Sequence, residues 1–175
     1  MLFLSALSCL SLSACAPGPV LPELNVVPSV EIERFLGTWY EVGGIPTPEQ
    51  NGCIGTTATY SLRDNGDIDV LNQCFLDAAG TRTQQARGRA FVPDPEQPTR
   101  LKVEFFWPFA GDYQIMALAD DYSSAMIGNP QRRYLWILSR EATLPEERYQ
   151  ELVELAVGQG YDADKIQRTP ALASN

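Results

Sequence analysis

A chain of 175 residues is the length of one domain, large enough to bury most of its apolar surface in a single core. Its 45% hydrophobic and 20% charged residues exclude a disordered chain, and 22 acidic against 13 basic residues give a net charge of −9, which repels nucleic-acid backbones and anionic lipid surfaces. The absence of histidine removes Ser-His and Cys-His dyads, the usual imidazole ligands of zinc and proximal-histidine haem ligation, so neither a metal nor a cofactor is expected.

Residues 1–14 are almost all apolar or small and end in Leu12-Ser13-Ala14 before Cys15, a string that resembles the lipobox of bacterial lipoprotein signal peptides. The run is shorter than the roughly 20 residues that span a bilayer as a helix, and Ala16-Pro17-Gly18-Pro19 stops a helix. The resemblance implies cleavage before Cys15 and acylation of that cysteine. With Ala16 following in place of an aspartate, it also implies an address on the periplasmic face of the cell outer membrane. Residues 15–30 are proline-rich without periodicity and are expected to serve as lipid anchor and extended tether, with the folded domain over residues 31–170. Cys9 would leave with the signal and Cys15 would carry the lipid. That leaves Cys53 and Cys74 either to pair in an oxidising compartment or to stay as two buried thiols.

The first strand is expected at residues 39–43. Ala58, Tyr60 and Leu62 then alternate with Thr57, Thr59 and Ser61, Asp64-Asn65-Gly66 marks a tight turn, and Ile68, Val70, Asn72 and Cys74 continue with period two, which predicts a β-hairpin. Two registers are open. A two-residue loop pairs Asp64 with Asp67 and sets Cys74 opposite Thr57. A three-residue loop pairs Arg63 with Asp67, sets Tyr60 opposite Val70 and Ala58 opposite Asn72, and is favoured because it aligns the two apolar sets. Cys74 then faces Thr56, and a bulge or a loop at Cys53 must bring the cysteine Cα atoms within the roughly 4 to 7 Å that a disulfide requires.

Residues 84–92, 101–107, 112–119, 125–128 and 134–139 read as further strands, about eight in all. In the second of these, Leu101, Val103, Phe105 and Trp107 alternate with Lys102 and Glu104, the pattern of a half-buried strand. Residues 134–138 are apolar on both faces and need an outer cover. The expected cover is a helix opening at Thr143-Leu144-Pro145-Glu146, where Thr143 and Glu146 stand at capping-box spacing, and ending before Gly158 or Gly160. Its stripe is Tyr149, Leu152, Val153 and Ala156. The predicted architecture is all-β: an eight-stranded antiparallel up-and-down β-barrel with one C-terminal α-helix packed outside. Such an interior is either just filled by side chains or holds one small ligand.

Three blocks carry a family resemblance. Gly37-Thr38-Trp39-Tyr40-Glu41-Val42 resembles the Gly-x-Trp-Tyr motif that opens the first strand of lipocalins. Asp120-Asp121-Tyr122 is similar to their Thr-Asp-Tyr block, with Asp120 where threonine is commoner. Tyr134-Leu135-Trp136-Ile137-Leu138-Ser139-Arg140 is similar to their closing arginine block. With Ile45-Pro46-Thr47, Val70-Leu71-Asn72-Gln73 and Pro108-Phe109, the likeness extends over residues 31–167 to bacterial outer-membrane lipocalins and their animal relative apolipoprotein D, which has no counterpart of Cys74.

The resemblance implies a membrane-anchored, non-enzymatic protein that stores or transfers a small hydrophobic ligand, a fatty acid or a lysophospholipid, in envelope maintenance. Tyr60, Asn72, Phe105, Tyr113 and Trp136 match the family's pocket positions; the alternative for each is plain core packing. Gly37, Trp39, Asp121, Tyr122 and Arg140 are expected to be structural, with the Arg140 guanidinium over the Trp39 indole at the closed end and Asp121 and Tyr122 capping it. Trp107, Pro108 and Phe109 could form a hydrophobic lip, a homodimer contact or a buried turn. Two competing readings are a thiol-dependent lipid isomerase using Cys74 and a structural lipoprotein whose calyx its own side chains fill.

Overall fold

The computed structural model describes residues 21–171; the expected signal peptide and acylation site at Cys15 lie outside them. Eight strands follow one another with the alternation of inward and outward side chains that the sequence carries: β1 (Gly37–Gly44), β2 (Gly55–Leu62), β3 (Ile68–Phe75), β4 (Thr83–Phe91), β5 (Arg100–Phe106), β6 (Phe109–Leu118), β7 (Ser124–Gly128) and β8 (Leu135–Ser139). Each pairs antiparallel with the next, and β1 pairs with β8 on one edge and β2 on the other, which closes the sheet into a barrel. Turns 63–67, 92–99, 119–123 and 140–145 gather at one end; loops 45–54, 76–82, 107–108 and 129–134 gather at the other.

The β2–β3 hairpin adopts the favoured register, with Tyr60 opposite Val70, Ala58 opposite Asn72 and Thr56 opposite Cys74. The Arg63 N–H donates to the Asp67 carbonyl (2.8 Å), and Gly66 supplies the positive φ (86°) that the three-residue loop needs. Cys53 lies just outside β2, in a turn where its own N–H donates to the Gln50 carbonyl (3.0 Å). That turn brings its Cα to 5.3 Å from that of Cys74, and the two form a disulfide.

Helix α2 (Glu146–Gly158) lies against the outside of the barrel, as the doubly apolar β8 requires. Tyr149, Leu152 and Ala156 are buried against the outward residues Val42, Met126, Leu135 and Ile137, and Val153 packs at the edge. The expected capping box is not formed. Pro145 precedes the first helical residue with extended ψ (140°), and the Thr143 carbonyl instead accepts from Ser139 Oγ (3.3 Å). Proline excludes helical geometry at the residue before it, so Leu144 cannot join the helix and Thr143 is too far out to cap it.

Two further segments depart from expectation. A two-residue strand, β9 (Gln167–Arg168), pairs with Gly43 and Gly44 of β1 beyond the end of the β1–β2 pairing. The segment read as a tether up to residue 30 is extended but packed: Leu24 is fully buried, the Val27 N–H donates to the Ile115 carbonyl (2.9 Å), and Arg132 Nη2 donates to the Pro22 carbonyl (2.7 Å). The packed chain therefore begins earlier than the expected boundary at residue 31. A short helix, α1 (Ile32–Phe35), then crosses the end where turns 63–67 and 119–123 lie.

Candidate ligand site

The closed end is built around Trp39, which is wholly buried and donates from Nε1 to the Phe35 carbonyl (2.8 Å). The Arg140 guanidinium lies 3.8 Å from the indole centroid and donates to the carbonyls of Thr38 (3.0 Å) and Arg34 (2.7 Å). Gly37, with φ of 90°, passes beneath it, where a Cβ would stand 3.4 Å from Arg140 Nη1. Tyr122 accepts at its hydroxyl from the Glu31 N–H (2.8 Å) and lies under the Arg34 guanidinium (4.0 Å). Asp121 is exposed and accepts from the Ser123 N–H (2.9 Å); hydrogen bonding from the Ser123 side chain first, and from its backbone second, holds the carboxyl below the usual aspartate range. All five residues of this set thus belong to one sealed end.

From that floor several inward positions pass from buried to open, while Thr56 and Cys74, higher on β2 and β3, stay buried beside the Cys53–Cys74 bridge. On β3, Ile68 and Val70 are buried and Asn72 is exposed; on β4, Ala90 is buried, Gly88 half-buried and Ala86 exposed. On β5, Leu101 is buried while Val103 and Phe105 are half-buried. Tyr113 and Trp136 are likewise half-buried above Ile115 and Leu138. Closed at one end and wet at the other, the barrel is a cup.

Of the five expected contact residues, three stand in one aromatic row together with Phe35, and Phe105 and Asn72 lie elsewhere on the inner wall. The rings of Phe35, Tyr60, Tyr113 and Trp136 follow one another at centroid spacings of 5.5, 6.3 and 6.5 Å. The Tyr60 and Tyr113 hydroxyls are 2.9 Å apart. Burial pushes the Tyr60 phenol up to about 12 and raises Tyr113 well above the ordinary tyrosine range, so both stay neutral hydrogen-bonding groups. Phe105 packs over Gly88, where a Cβ would come within 2.8 Å of its ring. Asn72 faces the same interior nearer the mouth.

Glu41 was not anticipated as a site residue. It pairs with Thr56 and Leu138, and its Oε2 accepts from Gln50 Nε2 (2.6 Å) and Thr56 Oγ1 (2.7 Å), while Oε1 accepts from Thr169 Oγ1 (3.4 Å). Burial raises its carboxyl above the ordinary glutamate range, and the three hydrogen bonds oppose that shift in part. Among the described inward-facing strand positions it is the charged group; the others, from Ala58 to Trp136, are neutral. Its place right after the Trp-Tyr pair was visible in the sequence, but a charge in a strand ordinarily reads as outward-facing.

The outer face of β2–β5 also carries a groove, and most of its charges are paired: Arg63 with Asp69 and Arg89 with Glu104, beside Arg87. Among the described residues no cluster of Cys, Asp or Glu is placed to hold a metal ion. At the mouth, the β5–β6 turn is not buried. Phe106, Trp107 and Phe109 are 78%, 84% and 77% exposed, so the inward alternation expected to run through Trp107 stops at Phe105.

The family model for the lipocalin-like domain matches residues 30–171. The chain is a lipocalin. Temperature-induced lipocalin-1 of Arabidopsis thaliana is 40% identical to it over 158 residues, 85% of this chain and 83% of the relative. The outer membrane lipoprotein Blc of Escherichia coli K12 is 39% identical over 154 residues, 87% and 86% of the two chains. Mouse apolipoprotein D is 34% identical over 158 residues, 85% and 80%. Among solved structures, insecticyanin of the tobacco hornworm Manduca sexta superposes with a TM-score of 0.66 at 19% identity over 91% of this lipocalin and 92% of its own chain, a likeness of fold alone.

Proposed function

We propose that this lipocalin carries a single-chain lipid, a fatty acid or a lysophospholipid, tail-first in its calyx, and that acylated Cys15 holds it at the periplasmic face of the outer membrane for envelope maintenance. The gradient of exposure along the inward faces carries the reading: Ile68, Val70 and Leu101 are sealed at the floor while Asn72 and Ala86 meet water near the mouth. A hollow with one dry and one wet end suits a molecule with one greasy and one polar end.

Glu41 supports the tail-first direction. A carboxylate or phosphate at its depth would meet like charge in a low dielectric, whereas a head group left at the rim stays hydrated. Burying a sixteen-carbon tail at ~0.8 kcal/mol per methylene contributes roughly 12 kcal/mol before the cost of association, which is ample for micromolar binding.

Titrating the delipidated protein with palmitate and with lysophosphatidylcholine, followed by tryptophan fluorescence, is expected to give a saturable one-to-one change. No saturable change with either, together with no lipid in the mass spectrum of natively purified protein, overturns the carrier reading. The isomerase alternative needs a free thiol at Cys74, which is joined to Cys53; the filled-calyx alternative is disfavoured by the open inward positions on β3 and β4. The anchor has its own readout: Cys15→Ala should remove an acyl mass from the mature chain and leave it extractable from membranes without detergent.

A further inference from the structure

We propose that the tip of the β5–β6 hairpin inserts into a phospholipid bilayer, so that the calyx opens onto the membrane face to face. Phe106, Trp107 and Phe109 are the most exposed large apolar side chains among the described residues, and they stand on the open rim. Tyr134, in loop 129–134 on the same rim, is 40% exposed and stacks on Trp136 (5.8 Å). At the closed end Leu62 is the one large apolar side chain of comparable exposure, and it is surrounded by no others. An apolar patch confined to one end of a strongly acidic protein marks a contact surface.

The tip is built to enter an apolar phase. From Phe106 to Gly111 no side chain is charged, and the nearest flanking charges are already paired, Glu104 with Arg89 and Lys102 with Asp112. Phe106 pairs with Phe109 across the turn, and Pro108 has no N–H, so few unsatisfied backbone donors would be carried in. Aromatic side chains of this kind favour the membrane–water interface.

The N-terminal chain fixes the orientation. Followed backward from α1, it climbs the outside of the barrel to Pro22, whose carbonyl Arg132 holds beside the loop that joins the upper ends of β7 and β8. Six residues lie between Cys15 and Pro22, and the seven steps of chain reach at most about 25 Å when fully extended. This step rests on the acyl anchor of the proposed function. A lipid at Cys15 therefore draws the rim, rather than the floor, toward the bilayer. The net charge of −9 selects a zwitterionic surface over an anionic one.

The test uses the mature chain, residues 15–175, carrying Cys15→Ala so that no acyl group contributes. Vesicles of phosphatidylcholine, alone or with phosphatidylglycerol, are floated with it, and tryptophan fluorescence is read with acyl-chain-brominated lipid. Flotation on the neutral vesicles is expected, weakened by phosphatidylglycerol at low salt, with bromine quenching that Trp107→Phe removes. The pair Trp107→Ser and Phe109→Ser should cut the bound fraction at least tenfold while leaving the denaturant midpoint and the lysophosphatidylcholine affinity of the calyx unchanged.

Undiminished flotation of that double variant overturns the proposal. So does unquenched Trp107, or a dimer that the substitutions convert to monomer without affecting flotation, which would make the patch a contact between copies. A calyx that fails to bind lysolipid in a protein that still floats would sink the carrier reading and leave the docking surface standing.

Discussion

Trp136 and Glu41 show how much one inward side chain can decide. Trp136 is half-buried on β8, stacked between Tyr113 and Tyr134, and presents its remaining surface to the cup. Trp136→Ala should weaken lipid affinity by about 1–3 kcal/mol, the scale of a large apolar contact, with little change in the denaturation midpoint. An unaltered dissociation constant in the fluorescence titration would remove it from the site. Glu41 instead governs stability. Its carboxyl titrates higher in the folded protein than in the unfolded chain, so the folded state holds the proton more tightly. Stability from this group is full below the ordinary glutamate range near 4.5 and is lost as pH rises through the raised value. Glu41→Gln should flatten that part of the profile, which denaturant melts of both proteins across mildly acidic to neutral pH would measure; parallel profiles would refute the assignment.

At the level of elements, the floor and the disulfide are expected to carry stability and to leave lipid binding unchanged. Arg140→Ala removes the cation stacked on Trp39 and two charge-assisted hydrogen bonds to the carbonyls of Thr38 and Arg34. It should cost about 1–3 kcal/mol of unfolding free energy and leave lipid affinity intact. Replacing Cys53 and Cys74 by serine frees a loop of sequence separation 21 in the unfolded chain and should cost roughly 3 kcal/mol, read as a lower urea midpoint with an equal or steeper slope.

The elements that could be read from the chain were those with a period. The β2–β3 register followed from matching Tyr60 to Val70, and the helix stripe from Tyr149, Leu152 and Ala156. What escaped has none. β9 is two residues long, and the strap from Pro22 to Val27 is held through backbone carbonyls that accept from Arg132 and Arg100 and through the N–H groups of Asn25 and Val27. The capping box at Thr143 failed because a spacing rule cannot see that Pro145 bars Leu144 from the helix.

For the whole molecule, the barrel and its aromatic wall were legible because alternation fixes which side chains share a face. The polarity of the cup was not, since it depends on where the ends of the strands meet water. Val70, Asn72 and Cys74 follow the same rule in sequence, but Val70 lies near the floor, Asn72 meets water, and Cys74 is covered at its bridge to Cys53. The N-terminal strap also has a mechanical consequence. It is fastened along its length, at Pro22 by Arg132, at Leu24 by Arg100, at Asn25 by Gln159, at Val27 by Ile115 and at Glu31 by Tyr122. Tension applied at its free end is borne first by the uppermost fastening and shed into the β7–β8 loop before it reaches the base. A barrel anchored as proposed would hang from its brim like a pail from its handle, and a pull on that anchor would leave the Trp39 plug unstrained.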